Sequence, residues 1–123
     1  MSTQYTGAGS FELDAALSAY RGVTLNSDNE MAASSSATRP DAITQEDGDT
    51  GEYIACKFMY GAGTQKISIT GCPVTIGDLI YAGAAGQATR TGNAIVIGRS
   101  RTTVAAAGNG TIIEFIPMAT PTV

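Results

Sequence analysis

The chain has 123 residues and a mass of 12.5 kDa, enough for a single domain. Nineteen Ala, 15 Gly, 16 Thr and nine Ser make almost half of it small, and only 23 residues are Leu, Ile, Val or Phe. So thin a core points to association with other chains, while a net charge of −4 with neither His nor Trp excludes the usual neutral-pH acid–base group and argues against a duplex DNA binder.

Residues 1–19 read as an N-terminal arm. Gly7-Ala8-Gly9-Ser10 is flexible, and Phe11-Glu12-Leu13-Asp14 alternates apolar and acidic residues as an extended strand does. Asp14 is placed to cap one helical turn over residues 14–19. With Phe11, Leu13 and Leu17 as anchors, the arm is expected to lie on a neighbouring subunit, with residues 20–123 forming one β domain.

From Tyr20 onward the chain reads as short strands separated by turn residues. Residues 21–25 form a strand, Asn26-Ser27-Asp28-Asn29 a turn, and residues 30–33 the answering half of a hairpin. A loop over 34–40 precedes a short strand at 42–44, and residues 45–52 form an acidic loop. The longest apolar run, 52–60, turns at Gly61-Ala62-Gly63 into a strand at 65–70. Further strands follow at 78–81, 87–90, 94–98 and 111–116, with loops at 83–86 and 105–110. Eleven Ile against four Leu favour strands over helices. The fold class expected is all-β, a small barrel or sandwich of short strands with an extended N-terminal arm.

No stretch reaches the ~20 apolar residues that span a bilayer, and the first residues lack the pattern of a secretory signal. A soluble protein made in the cytoplasm is expected, and Cys56 and Cys72, which could pair, are expected as reduced thiols in the absence of a secretory signal. Charge is unevenly spread. Residues 1–52 carry nine acids against Arg21 and Arg39, whereas residues 53–123 carry five bases against Asp78 and Glu114. Either the opposite segments meet within the fold, or copies associate head to tail, or the acidic face meets a basic surface of a partner. In the second case Arg99 and Arg101 face Glu46, Asp47 and Asp49 across subunits.

The motifs give no active site. Glu46-Asp47-Gly48-Asp49 with Glu52 lacks the spacing of a calcium-binding EF-hand loop. Gly61-Ala62-Gly63-Thr64-Gln65-Lys66 lacks the phosphate-loop spacing and precedes a strand, so no helix N-terminus is there to hold an anion. Cys56 and Cys72 have neither a paired CxxC spacing nor a His partner. No catalysis, no metal and no cofactor are expected.

Four segments together carry a family resemblance: Leu17-Ser18-Ala19-Tyr20-Arg21-Gly22-Val23-Thr24-Leu25, Gly77-Asp78-Leu79-Ile80-Tyr81 with the following Gly86-Gln87-Ala88, Ile95-Val96-Ile97-Gly98, and the close from Ala105 to Phe115. In order and spacing, residues 11 to 117 resemble the head decoration, or capsid cement, proteins of tailed bacteriophages, least so over 26–52. The resemblance implies a non-enzymatic virion protein on the outer capsid surface that binds the major capsid protein. It also implies self-association, often as a homotrimer, and no direct contact with nucleic acid or membrane. The alternative reading is a fibre or tail-associated adhesin module that binds a host glycan, for which five Tyr and three Phe offer a sparse aromatic platform.

Overall fold

A computed structural model of the chain describes residues 8–59, 63–90, 92, 95–105 and 108–118. Over these residues the protein is all-β, as the alternation and the Ile content predict. Five strands form the first half: β1 (Ala8–Glu12), β2 (Gly22–Leu25), β3 (Met31–Ala33), β4 (Ala42–Thr44) and β5 (Tyr53–Phe58). They pair antiparallel in the order β1-β5-β4-β2-β3. The second half is a closed barrel of β6 (Gln65–Ile69), β7 (Leu79–Ala82), β8 (Ala88–Thr89), β9 (Val96–Ser100) and β10 (Thr111–Pro117), in the order β10-β6-β8-β7-β9. Pairing of β9 with β10 completes the ring, and the one parallel step is β6 beside β8.

Side-chain alternation builds each interior. On β10, Ile113 and Phe115 point inward while Ile112 and Ile116 face outward. Ile67, Ile69, Ile80, Ile97, Ile113 and Phe115 fill the barrel. The first sheet curls until its two edges meet. Leu13, one residue past β1, bridges to Met31 of β3, and the Asp14 N–H donates to the Met31 carbonyl at 3.1 Å. The curl encloses Leu13, Val23, Met31, Ala42, Ile54 and Cys56. Beside them the Phe11 and Phe58 rings meet edge to face with centroids 5.7 Å apart.

Strand β4 serves both interiors. Ala42 belongs to the cluster inside the curled sheet, whereas its neighbour Ile43 packs into the barrel cluster together with Met59. Backbone and guanidinium hydrogen bonds fasten the halves. The Ser68 N–H donates to the Tyr20 carbonyl, and the Gly86 N–H to the Ser34 carbonyl, each at 2.8 Å. Arg21 donates to the Ala85 carbonyl, and Arg39 reaches the Val96 and Met118 carbonyls. Gly86 sits at φ +76°, and a Cβ there would lie 2.6 Å from the Gly22 carbonyl oxygen, so the halves approach this closely only because the residue is glycine.

Three expectations change. Residues 8–13 are extended, but β1 pairs with β5 of the same chain, from Ala8 opposite Lys57 to Glu12 opposite Tyr53. Leu13 is wholly buried in that chain's own core, so it is not an anchor on a neighbour, and residue 19 is no boundary between an arm and a domain. The reason is proximity: the chain's own sheet offers the same apolar face and ladder without the entropy cost of association. The part of the arm before Ala8 lies outside the described residues.

The helical turn over 14–19 does not form. Leu17 and Gly48 exchange backbone hydrogen bonds at 2.9 Å each way, and the Asp47 carboxylate accepts the Ala19 N–H. Those bonds satisfy donors that a helical turn would leave facing water. The strand expected at 94–98 runs instead from Val96 to Ser100, because its partners on β10 require Arg99 opposite Ile116. Ala94 lies outside the described residues, as do residues 61 and 62 of the expected turn and residues 106 and 107 of the expected loop.

Candidate functional site

Two surfaces collect the chemistry that the sequence singled out. The first is an acidic rim at one end of the curled sheet. The bridge between Leu17 and Gly48 lays residues 14–18 beside residues 46–52. Gly48 makes this possible, since a Cβ there would sit 2.6 Å from Ile54 Cγ2 and 2.8 Å from Leu13 Cδ1. Three carboxylates in the rim are committed to the backbone. Glu46 accepts the Ala55 N–H at 2.8 Å, Asp47 the Ala19 N–H at 2.8 Å, and Glu52 the Asp49 N–H at 2.9 Å. Among the described residues the carboxylates of Asp14 and Asp49 make no such bond, and both residues are exposed. A recess of about 370 Å³ opens here, lined by Ala16, Leu17, Ser18, Arg21, Asp47 and Asp49.

The second surface is the outer wall of the barrel along β9 and β10. Arg99 stands opposite Ile116, and the Arg101 N–H donates to the Glu114 carbonyl at 2.8 Å, which places both arginines next to the outward face of β10. Among the described residues of this half, three large apolar side chains are exposed: Ile112 at 39%, Ile116 at 49% and Ile76 at 65%. Ile76 precedes Gly77, whose carbonyl accepts a bond from Arg99 at 2.9 Å. Exposed Lys66 lies across the ladder from Glu114. The fold therefore joins Arg99 and Arg101 to apolar neighbours that the motif reading did not single out. The alternation in Thr111–Pro117 already set Ile112 and Ile116 on one face, so the signal was present.

Among the described residues the opposite charges of the two halves form no ion pair with each other. Among the described residues, the two ion pairs, Arg90 with Asp78 at 4.0 Å and Arg101 with Glu114 at 3.7 Å, lie inside the barrel half. Arg21 and Arg39, the arginines of the acidic half, reach across to backbone carbonyls of the barrel. Arg99 and Arg101 are thus not brought to Glu46, Asp47 or Asp49 in one chain. Of the three apolar anchors expected in the arm, Leu13 is buried and Phe11 and Leu17 are half-buried, all against the interior of the curled sheet.

The remaining candidates are quiet. Both cysteines are free, Cys56 inside the curled sheet and Cys72 against the barrel core. Burial, and secondarily the Glu46 charge, push the Cys56 thiol up to about 11, away from the nucleophilic thiolate. Among the described residues no group of three or more His, Cys, Asp or Glu could hold a metal ion, and no helix is long and apolar enough to cross a membrane. A second recess of about 240 Å³, at the junction of the halves, is lined by Tyr20, Gln45, Lys57, Lys66 and Glu114 among others.

No protein-family model matches the sequence, and no curated protein matches it. Among solved structures, the chain is similar to the N base of the head fibre protein gp8.5 of bacteriophage phi29. The likeness has a TM-score of 0.71 at 21% identity and covers 94% of this chain and 97% of that one, so the two share a fold over nearly their whole lengths.

Proposed function

We propose that the protein is a structural component of a tailed-phage virion. It sits on the outer surface of the assembled head as a decoration protein, and it stabilises the lattice by bridging neighbouring major capsid subunits. The observation that carries this reading is the full-length likeness of fold to the base of a phage head fibre, joined to the sequence resemblance to capsid cement proteins. A non-enzymatic role accords with the absence of His and of any paired nucleophile and base in the sequence. The thin core supports working as an oligomer, proposed as a homotrimer.

The mechanism is linkage. A protein that binds only the assembled, expanded shell stabilises it by roughly 3–4 kcal/mol per site when present at a hundred to a thousand times its Kd. Summed over the sites of a shell, this opposes internal pressure and heat. The test incubates purified protein with expanded empty capsids and with unexpanded shells, then measures copies bound and the capsid melting temperature. Saturable binding to expanded shells with a raised Tm is expected. Absence of binding to any shell of a host phage overturns the reading.

The likeness to a head fibre also favours a second reading, a fibre-associated module that binds a host glycan. The recess beside Tyr20 is where a sugar would be sought, and a glycan array distinguishes the two.

A further inference from the structure

We infer that the basic, apolar wall of the barrel docks onto the acidic rim of the curled sheet in a second copy of the chain, head to tail. This deepens the self-association part of the proposed function and rests on that part alone, so it stands or falls without any capsid.

Each surface carries uncompensated charge. Among the described residues no ion pair joins an acid of the rim to the barrel, and Arg21 and Arg39 of the acid-rich half donate to carbonyls of the barrel half. The rim therefore keeps its negative field, and the exposed Asp14 and Asp49 in particular have carboxylates with no hydrogen-bonded partner among the described residues. Arg21 lines the same recess but donates to Ala85 and forms no ion pair with Asp47 or Asp49. On the other side, the barrel wall carries Lys66, Arg99 and Arg101 against Glu114. It combines arginines with exposed Ile112, Ile116 and Ile76, the pairing of cationic and apolar groups found at the centres of protein interfaces.

Charge also selects the geometry. A contact between two identical walls would set arginines against arginines, and one between two rims would set acids against acids. A wall-to-rim contact pairs opposite signs at both ends of every copy. Such a contact is heterologous, and it closes into a ring when the rotation between copies allows, as a homotrimer requires.

Analytical ultracentrifugation of the isolated protein, at low and high salt, tests this with charge swaps. Arg99→Glu with Arg101→Glu makes the wall acidic, and Asp14→Lys with Asp49→Lys makes the rim basic. Each pair is expected to weaken self-association roughly 100-fold or more. All four changes in one chain should restore it, and the fourfold variant should refuse to mix with isotopically labelled wild type in native mass spectrometry. High salt should weaken the wild-type complex. Circular dichroism checks folding, and the neutral pairs Arg99→Gln with Arg101→Gln and Asp14→Asn with Asp49→Asn should weaken association in the same direction by less. A wild type that stays monomeric overturns the inference. So does a folded fourfold variant that fails to reassociate, and so do charge pairs that leave self-association intact while abolishing capsid binding.

Discussion

The two halves of the molecule enclose apolar clusters of similar kind but close them differently. The barrel closes through a ladder, with β10 paired to β9 over Phe115, Ile116 and Pro117 and to β6 over five residues. The curled sheet closes through an isolated bridge from Leu13 to Met31 and one backbone bond from Asp14. The barrel also borrows Ile43 and Met59 from the first half, whereas the sheet's cluster draws on its own strands. A ladder distributes closure over many bonds, but a single bridge concentrates it at one residue pair, with the buried Leu13 side chain beneath it. The sheet is therefore the half that local changes should open first.

The largest test of that difference lies in the barrel. Phe115→Ala should cost about 3–5 kcal/mol, because the wholly buried ring touches a core that the ladder keeps from collapsing. Chemical denaturation should show it as one cooperative loss. Leu13→Ala should cost about 2–5 kcal/mol, and hydrogen exchange should accelerate in β1 and β3 more than in β7 and β9. Equal acceleration in both halves would show that the bridge does not hold the curl.

At the joint, Gly86→Ala should cost about 1–3 kcal/mol, since the new Cβ meets the Gly22 carbonyl and the residue must keep a positive φ. Thermal unfolding is the measurement. The cysteines give a subtler contrast. Cys72 should react with a thiol reagent well before Cys56, which is buried in the curled sheet. An unfolded Cys56 ionises near 9.0, but the folded one holds its proton to about 11. Its contribution to stability is therefore complete below pH 9 and is lost as pH rises toward 11, while Cys56→Ala should flatten that decline. The smallest effect is expected on the outer wall. Arg101→Ala should change stability by less than about 0.5 kcal/mol, because its pair with Glu114 is exposed on both sides.

Much of this fold was legible in local pattern. Val23, Ile43, Ile54, Ile67, Ile80 and Ile113 fell on strands because β-branched residues recur between turn clusters such as Asn26–Asn29. What local pattern could not reveal was which strands pair. The parallel contact of Ile69 with Ala88 and the bridge of Leu13 to Met31 join residues far apart in sequence, and no spacing marks them. That is also why Phe11 and Leu13 read as reaching outward: alternation shows that a strand has an apolar face, not whose core the face enters. The candidate surface was half legible. Arg99 and Arg101 stood out by charge, but only the barrel's closure shows that Ile112 and Ile116 share their wall.

The sharing of β4 has a consequence for synthesis. The ribosome releases the curled sheet first, complete with β1 to β5, while the barrel strands are still inside or unmade. At that moment Ile43 and Met59 face no barrel, and the nascent chain displays an apolar surface that only its own later residues can cover. A fragment ending near residue 64 would keep that surface permanently bare. Chaperone capture or aggregation of such a fragment, beside a soluble full-length chain, would be the mark of a fold whose first half is shaped for a second half not yet translated.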